Sequence, residues 1–283
     1  MTGTLFVVAT PIGNLSDMTF RAVSTLKQVA CIAAEDTRVT RKLLTHFEIS
    51  TPLISYREQN AARVVPELIA RLKDGQNVAM VSDAGTPAIS DPGAELVAAA
   101  YDAGIRVSPI PGASAMSAAI SASALLGDGI RFLGFLPRKG RDRHARIQTI
   151  AQDPSCTVLY ESPHRLKETL SDLLDACGDR TCVVFRELTK LHEEIQRGRL
   201  SLLATVFGSD EVRGEITLVL EGNQSTTLTE MTDEKLSSLI SAELASGRSA
   251  RDIAATLSTA LGLRKKRIYE MAVSLIQNRK AAD

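Results

Sequence analysis

The chain has 283 residues, 44% hydrophobic and 23% charged, and its 33 basic and 33 acidic side chains balance to a formal charge of zero. That is the composition of a globular protein with room for two domains and a small appendage, and it gives no bulk charge from which nucleic-acid binding can be argued, so such contact has to come from local patches. No apolar run reaches membrane-spanning length, and Met1-Thr2-Gly3-Thr4-Leu5-Phe6-Val7-Val8 lacks a signal-peptide layout, which makes a cytoplasmic protein without membrane contact the expectation. From the N-terminus, residues 4–9 form a continuous apolar, β-rich run, as in a strand covered on both faces. It ends in the turn Thr10-Pro11-Ile12-Gly13-Asn14, after which residues 16–29 have helical spacing. A short strand at 31–34 runs into Glu35-Asp36-Thr37-Arg38. Residues 40–47 read as helix, 53–55 as strand, and 60–74 as a helix closed by Gly75. Residues 77–82 are another buried strand, followed by a Gly/Pro-rich loop from Asp83 to Gly93. A helix over 94–103 stops at Gly104, and a strand over 106–110 ends in Pro111-Gly112. Strands alternating regularly with helices predict a largely parallel α/β sheet.

After a small-residue helix at 113–126 the pattern restarts. Strands are expected at 132–135, 157–160 and 181–186, with a basic loop at 137–146 leading into a helix and a further helix at 167–177. Residues 200–206 and 215–221 also read as strands, and their close spacing predicts a mixed second sheet. Gln224-Ser225-Thr226-Thr227 is a polar break. Three helices follow, at 233–245, 249–261 and 264–277, with Ser249 and Asp252 placed as a capping box and Gly247 and Gly262 as stops. The expected division is an α/β domain over 1–112, a second over 113–225 and a helical tail over 226–283. Cys31, Cys156, Cys177 and Cys182 are scattered, as are the four histidines, so neither a disulfide framework nor a metal site is expected.

The loops 10–14 and 83–93 follow strand ends, where parallel α/β sheets hold their ligands, and their composition lets bare backbone approach a ligand closely. Neither has dinucleotide or Walker spacing. As residues alone, tight turns explain them equally well.

At these loops and at five further blocks, in order, the chain resembles the ribosomal RNA small-subunit methyltransferase I family. The blocks are Val7-Val8-Ala9-Thr10-Pro11-Ile12-Gly13-Asn14-Leu15, Ala34-Glu35-Asp36-Thr37-Arg38, Val81-Ser82-Asp83-Ala84-Gly85-Thr86-Pro87 with Ser90-Asp91-Pro92-Gly93, Pro111-Gly112-Ala113-Ser114-Ala115, Phe132-Leu133-Gly134-Phe135-Leu136-Pro137, Glu161-Ser162-Pro163-His164-Arg165 and Gly214-Glu215-Ile216-Thr217. The resemblance implies two α/β domains of the tetrapyrrole methylase (class III methyltransferase) type plus a small C-terminal helical domain. It implies methylation of a cytidine ribose 2′-hydroxyl in bacterial 16S rRNA, with S-adenosyl-L-methionine as cofactor, the small ribosomal subunit as partner and a homodimer as the assembly. Carried over by position, Pro11, Asp83, Ala84, Gly85, Ile89, Ser114 and Ala115 hold the cofactor from the first domain, and Tyr160, Glu161, Leu188, Glu215 and Thr217 from the second. A turn-capping role for Asp83 and an N-cap role for Ser114 are the local alternatives.

Methyl transfer to a hydroxyl needs a proton acceptor. Glu35, Asp36 and Arg38, which follow a strand directly, are the candidates; Arg57, Glu58, Lys190 and His192 lie in other loops, and a salt-bridged structural cluster is the alternative. For RNA, the basic features are Arg138, Lys139 and Arg141 in the run ending at Arg146, and Arg264, Lys265, Lys266 and Arg267, whose cations oppose the dipole of the helix they open. A solvated charged face is the other reading. With no tryptophan, recognition of a shaped RNA site is favoured over stacking on open strands. Two further functions fit the fold: a tetrapyrrole-type C-methyltransferase, against which the Thr-Pro-Ile-Gly-Asn and Ala-Glu-Asp-Thr-Arg blocks speak, and a non-catalytic ribosome-assembly factor.

Overall fold

The computed structural model describes residues 2–208, 212–224, 233–261 and 264–280; residues 225–227 of the polar break and the Gly262 stop lie outside them. The chain divides into two compact units, one ending at Asn223 and one starting at Gln224.

The first unit contains two sheets. Strands β1 (Thr4–Val8), β2 (Cys31–Ala34), β3 (Leu53–Ser55), β4 (Val78–Val81) and β5 (Arg106–Ile110) pair in the order β3-β2-β4-β1-β5, every pair parallel. Successive side chains point to opposite faces. Ile32, Ala34, Ala79 and Val81 pack with Ala22 and Leu26 of α1 (Phe20–Gln28) and Leu44 of α2 (Thr37–His46). Cys31, Ala33, Val78 and Met80 pack with Val64, Leu68 and Leu72 of α3 (Ala61–Lys73) and Leu96 and Ala100 of α4 (Ala94–Asp102). With helices on both faces, every position of the inner strands β2 and β4 is buried, which is why these two are apolar throughout rather than alternating.

The second sheet is mixed. Strands β6 (Ile130–Phe135), β7 (Cys156–Glu161), β8 (Thr181–Arg186), β9 (Glu194–Arg199) and β10 (Ile216–Leu220) run in the order β6-β7-β10-β8-β9, with β6 and β7 parallel and the other pairs antiparallel. Val158, Val183, Phe185 and Val219 meet Ala119 of α5 (Ala115–Ser123) on one face. On the other, Leu159, Val184, Leu218 and Leu220 meet α6 (Arg141–Gln152), α7 (Leu166–Cys177) and α8 (Leu200–Val206). Residues 200–206 are therefore helix, not the strand expected from their apolar character. Leu200 and Leu203 are buried while Leu202 and Val206 are exposed, a spacing of three that fits a helix lying on the sheet. The strand in this region is β9, immediately before it.

In the second unit, α9 (Asp233–Ala245), α10 (Ala250–Leu261) and α11 (Lys265–Lys280) bury Leu236, Ile240, Ile253, Ala254, Ile268 and Ala272 in a core of their own. The Ser249 hydroxyl accepts from the Asp252 amide at 3.2 Å and donates to its carboxylate at 2.7 Å, capping α10. Among the described residues no helix is long and apolar enough to cross a membrane.

Candidate active site

β1 and β4 end side by side, and the loops beyond them are tied together. Thr10 and Gly85 exchange backbone hydrogen bonds at 2.9 and 3.0 Å, and the Thr10 hydroxyl donates to the Ser82 carbonyl at 3.2 Å. The loop after β4 then takes left-handed conformations at Gly85 (φ 76°), Ala88 (67°) and Ser90 (65°). Such φ values are costly for Ala and Ser and persist only where the surroundings enforce them. The second sheet supplies part of that enforcement. A Cβ on Gly134, at the bulge of β6, would lie 2.8 Å from the Ser90 hydroxyl, and one on Gly13 would lie 2.3 Å from Cγ of Lys190. The close approach of the two rims depends on both glycines.

Between the rims lies a cleft of about 340 Å3. Its lining includes nine of the residues picked out from the sequence: Ala84, Gly85, Ile89, Ser114, Ala115, Tyr160, Glu161, Glu215 and Thr217. Pro11, Asp83 and Leu188 lie outside the lining. Asp83 is exposed, and its carboxylate accepts from the Asp36 amide at 2.9 Å, joining the end of β4 to the end of β2. Leu188 packs against the apolar cluster around Phe185, and Pro11 is half-buried in the adjoining loop. Ser114 is the N-cap of α5, accepting from the Ser117 amide at 3.5 Å. Thr86, Asp91, Phe135 and Gly214 also line the cleft, and all four lie within the motif blocks that carry the family resemblance.

The lining carboxylates differ in their surroundings. Glu161 is buried, accepting from the Thr169 hydroxyl at 2.6 Å and the Ser162 amide at 2.8 Å, with Arg165 at 3.6 Å. Arg165 in turn donates to the carbonyls of Leu136 and Pro137, so the carboxylate holds the second sheet's rim together and leaves mainly backbone to face the cleft. Glu215 pairs with Lys190 at 3.2 Å, and the same ammonium meets Glu187 at 2.7 Å. Asp91 has burial and the neighbouring Glu35 and Asp83 carboxylates pushing its pKa up to about 6, against the opposing hydrogen bond from Ser82. Tyr160 packs edge-on to Phe132 and Phe135 at ring distances of 5.0 and 5.7 Å, and burial raises its hydroxyl pKa.

At the end of β2, Asp36 caps α2, accepting from the Arg38 amide at 2.9 Å. It also pairs with the Arg38 guanidinium at 2.6 Å and lies 3.6 Å from Arg57. The Arg38 hydrogen bonds hold it far below the usual carboxylate range. Glu35 behaves oppositely. Burial raises its pKa, partly offset by the Asp83 amide and Arg57. Both a reactive rim and an ion-paired cluster fit these residues. Glu35, Asp36, Arg38, Arg57 and Lys190 stand outside the cleft lining, as do the exposed Glu58 and His192.

The basic runs separate into surface and structure. Arg138, Lys139 and Arg141 are exposed, whereas Arg143 beside them is buried against Asp172 at 2.7 Å and the Thr169 hydroxyl at 3.0 Å. In the tail, Arg264 and Lys265 are exposed; Arg267 pairs with Asp233 at 2.7 Å, and Lys266 lies 3.9 Å from Glu270.

A model of the Tetrapyrrole (Corrin/Porphyrin) Methylases family matches residues 4–204. Among solved structures, the cobalt precorrin-4 methyltransferase of cobalamin biosynthesis is similar with a TM-score of 0.61 at 17% identity, covering 77% of this chain and 94% of that one. Uroporphyrin-III C-methyl transferase from Thermus thermophilus, complexed with S-adenyl homocysteine, gives 0.56 at 20% identity, covering 77% and 97%. Two sheets meeting at a cleft beyond the parallel strand ends thus define the tetrapyrrole methylase class. Sequence relatives narrow this further. The ribosomal RNA small subunit methyltransferase I of Synechocystis sp. is 46% identical over 274 residues, 96% of this chain and 98% of its own length. That of Streptococcus pyogenes serotype M1 is 45% identical over 269 residues, covering 95% and 94%. The chain belongs to the ribosomal RNA small subunit methyltransferase I family.

Proposed function

We propose that the chain methylates the ribose 2′-hydroxyl of a cytidine in 16S rRNA of the small ribosomal subunit, using S-adenosyl-L-methionine. The observation that carries this reading is the cleft of about 340 Å3 at joined strand ends, in a chain 46% identical over nearly its whole length to a relative named for ribosomal RNA methylation. That volume falls among small-molecule sites, and a partly apolar lining with strained backbone brought close to the surface fits a cofactor having both an adenine and an amino-acid end. Once bound, the cofactor supplies a methyl group activated on positively charged sulfur. Ala84, Gly85, Ile89, Ser114 and Ala115 form one wall in this reading. Tyr160, Glu161, Glu215 and Thr217 form the other, Glu161 through its backbone. Pro11, Asp83 and Leu188 support the walls from behind.

For the hydroxyl proton, Glu35 is the better acceptor of the two rim acids, because Asp36 is held ionised by Arg38. Asp36 then serves to fix Arg38, whose guanidinium is exposed and can offer a phosphate the N–H groups that Asp36 leaves unused. Arg138, Lys139, Arg141, Arg264 and Lys265 offer further phosphate contacts, and Lys266 and Arg267 take part once their internal partners yield. The division at 1–112, 113–225 and 226–283, a homodimeric state and a cytoplasmic location belong to the same proposal. The test is transfer of labelled methyl from S-adenosylmethionine to small subunits lacking the modification, with mass spectrometry of nuclease digests. Labelled 2′-O-methylcytidine is expected. Label on tetrapyrroles instead, or cofactor binding without transfer to RNA, would sink the reading.

A further inference from the structure

Three carboxylates line the cleft, and the protein itself satisfies two of them: Glu161 through Thr169, Ser162 and Arg165, and Glu215 through Lys190. Asp91 has no cation at ion-pair distance among the described residues. What faces it is of the wrong sign or neutral. Glu35 at the end of β2 and Asp83 at the end of β4 bear on it with like charge, Ser82 opposes them, and Tyr160 of β7 is its neighbour from the second sheet. The cations of the same rim, Arg38 and Arg57, pair with Asp36. A lone carboxylate among like charges, beside the aromatic rings of Tyr160 and Phe135, is a position that lacks one positive charge.

We infer that Asp91 is the residue by which the cleft prefers the sulfonium methyl donor to its neutral thioether product, and that donor binding requires Asp91 to be ionised. This rests on the methyl-donor reading above. Donor and product share the same adenosine and amino-acid parts and differ in charge at sulfur. Asp91 lines the cleft itself, and the ammonium and carboxylate common to both ligands act on it alike, so the charge at sulfur is what separates donor from product there. The sign follows. In the free protein Asp91 holds its proton up to about pH 6. A neighbouring cation favours the ionised form, so donor binding below that pH releases a proton and weakens as pH falls.

Calorimetry of the intact protein tests this, with S-adenosylmethionine and S-adenosylhomocysteine titrated at several pH values, each in two buffers of different ionisation enthalpy. Donor affinity is expected to fall about tenfold between roughly pH 7.5 and pH 5, with proton release, while product affinity changes little. In Asp91→Asn the donor should bind several-fold more weakly with its pH dependence gone, and the product should bind within about twofold of wild type, which also reports an intact fold. Two results overturn the inference alone: Asp91→Asn retaining the wild-type pH dependence, or donor and product showing the same dependence. If wild type binds neither compound, the methyl-donor reading falls first and takes the inference with it.

Discussion

Glu161 and Asp91 line the same cleft and are held in opposite ways, so removing each has a different consequence. Glu161 is a buried carboxylate: replaced by Ala, it leaves the Thr169 hydroxyl and the Ser162 amide short of an acceptor and removes the carboxylate facing Arg165, which keeps its bonds to the Leu136 and Pro137 carbonyls. Glu161→Ala is expected to cost about 3–5 kcal/mol in urea unfolding, and Glu161→Gln less. Unchanged stability with lost cofactor affinity would instead give the carboxylate a direct role in the cleft. For Asp91 the native fold penalises the charge. With a folded pKa of about 6, above its unfolded value, its contribution to stability is complete below the unfolded pKa and is lost as pH rises through about 6. Asp91→Asn should therefore raise stability near pH 8 by on the order of 1 kcal/mol, reduced by solvent screening of a partly exposed group, and leave it nearly unchanged near pH 4. Thermal unfolding at the two pH values checks both halves. Neither environment was legible in sequence. Glu161 and Asp91 could be named from the motifs they stand in, but Thr169, which holds Glu161, and the burial and Glu35 carboxylate that act on Asp91 are brought to them by the fold.

Elements were legible where burial is symmetric and misread where it is not. Strands β1, β2 and β4 have helices on both faces and announce themselves as unbroken apolar runs. β9 is an edge strand, Glu-Ile-Gln-Arg-Gly-Arg, held to β8 by its ladder and by the Arg186–Glu194 pair at 2.7 Å, and no apolar pattern marks it. α8 has seven residues, two of them buried leucines, and a run that short carries too little periodicity to separate helix from strand. The turn leading into β10 was legible as a glycine, but its reason was not. Gly214 has φ 94°, and a Cβ there would lie 2.4 Å from Cδ and Oε1 of Glu187, the carboxylate that accepts from the Glu215 amide at 2.9 Å and from Lys190 at 2.7 Å. Gly214→Ala should cost about 1–3 kcal/mol and weaken cofactor binding together, because the clash falls on the bonds that set the position of Glu215. Calorimetry and thermal unfolding on one preparation separate the effects; an unchanged melting temperature would mean that the loop relaxes without strain.

At the scale of the whole molecule a zero net charge hides an uneven division of labour among the arginines and lysines. Arg143, Arg165 and Arg180 are tied into the first unit, by the Asp172 pair, by the Leu136 and Pro137 carbonyls and by the Ile150 and Ala151 carbonyls respectively. Arg138, Lys139 and Arg141 sit in the same stretch of sequence as Arg143 but stay in solvent, so a run that looked uniform as sequence splits into surface and structural parts. Replacing Arg138, Lys139 and Arg141 together by Gln should therefore leave unfolding and cofactor affinity close to wild type. Binding to small subunits should weaken, with the slope of log affinity against log salt becoming shallower by about 0.7–0.9 for each phosphate contact removed. Arg143→Gln alone should do the reverse: it leaves Asp172 and Thr169 without their donor, lowers the melting temperature and keeps the salt slope. The same comparison in the tail sets Arg264 and Lys265 against Arg267, which already holds Asp233. If the triple variant binds subunits with the wild-type slope, phosphates are met elsewhere on the chain, and the exposed run at 138–141 is a solvated face.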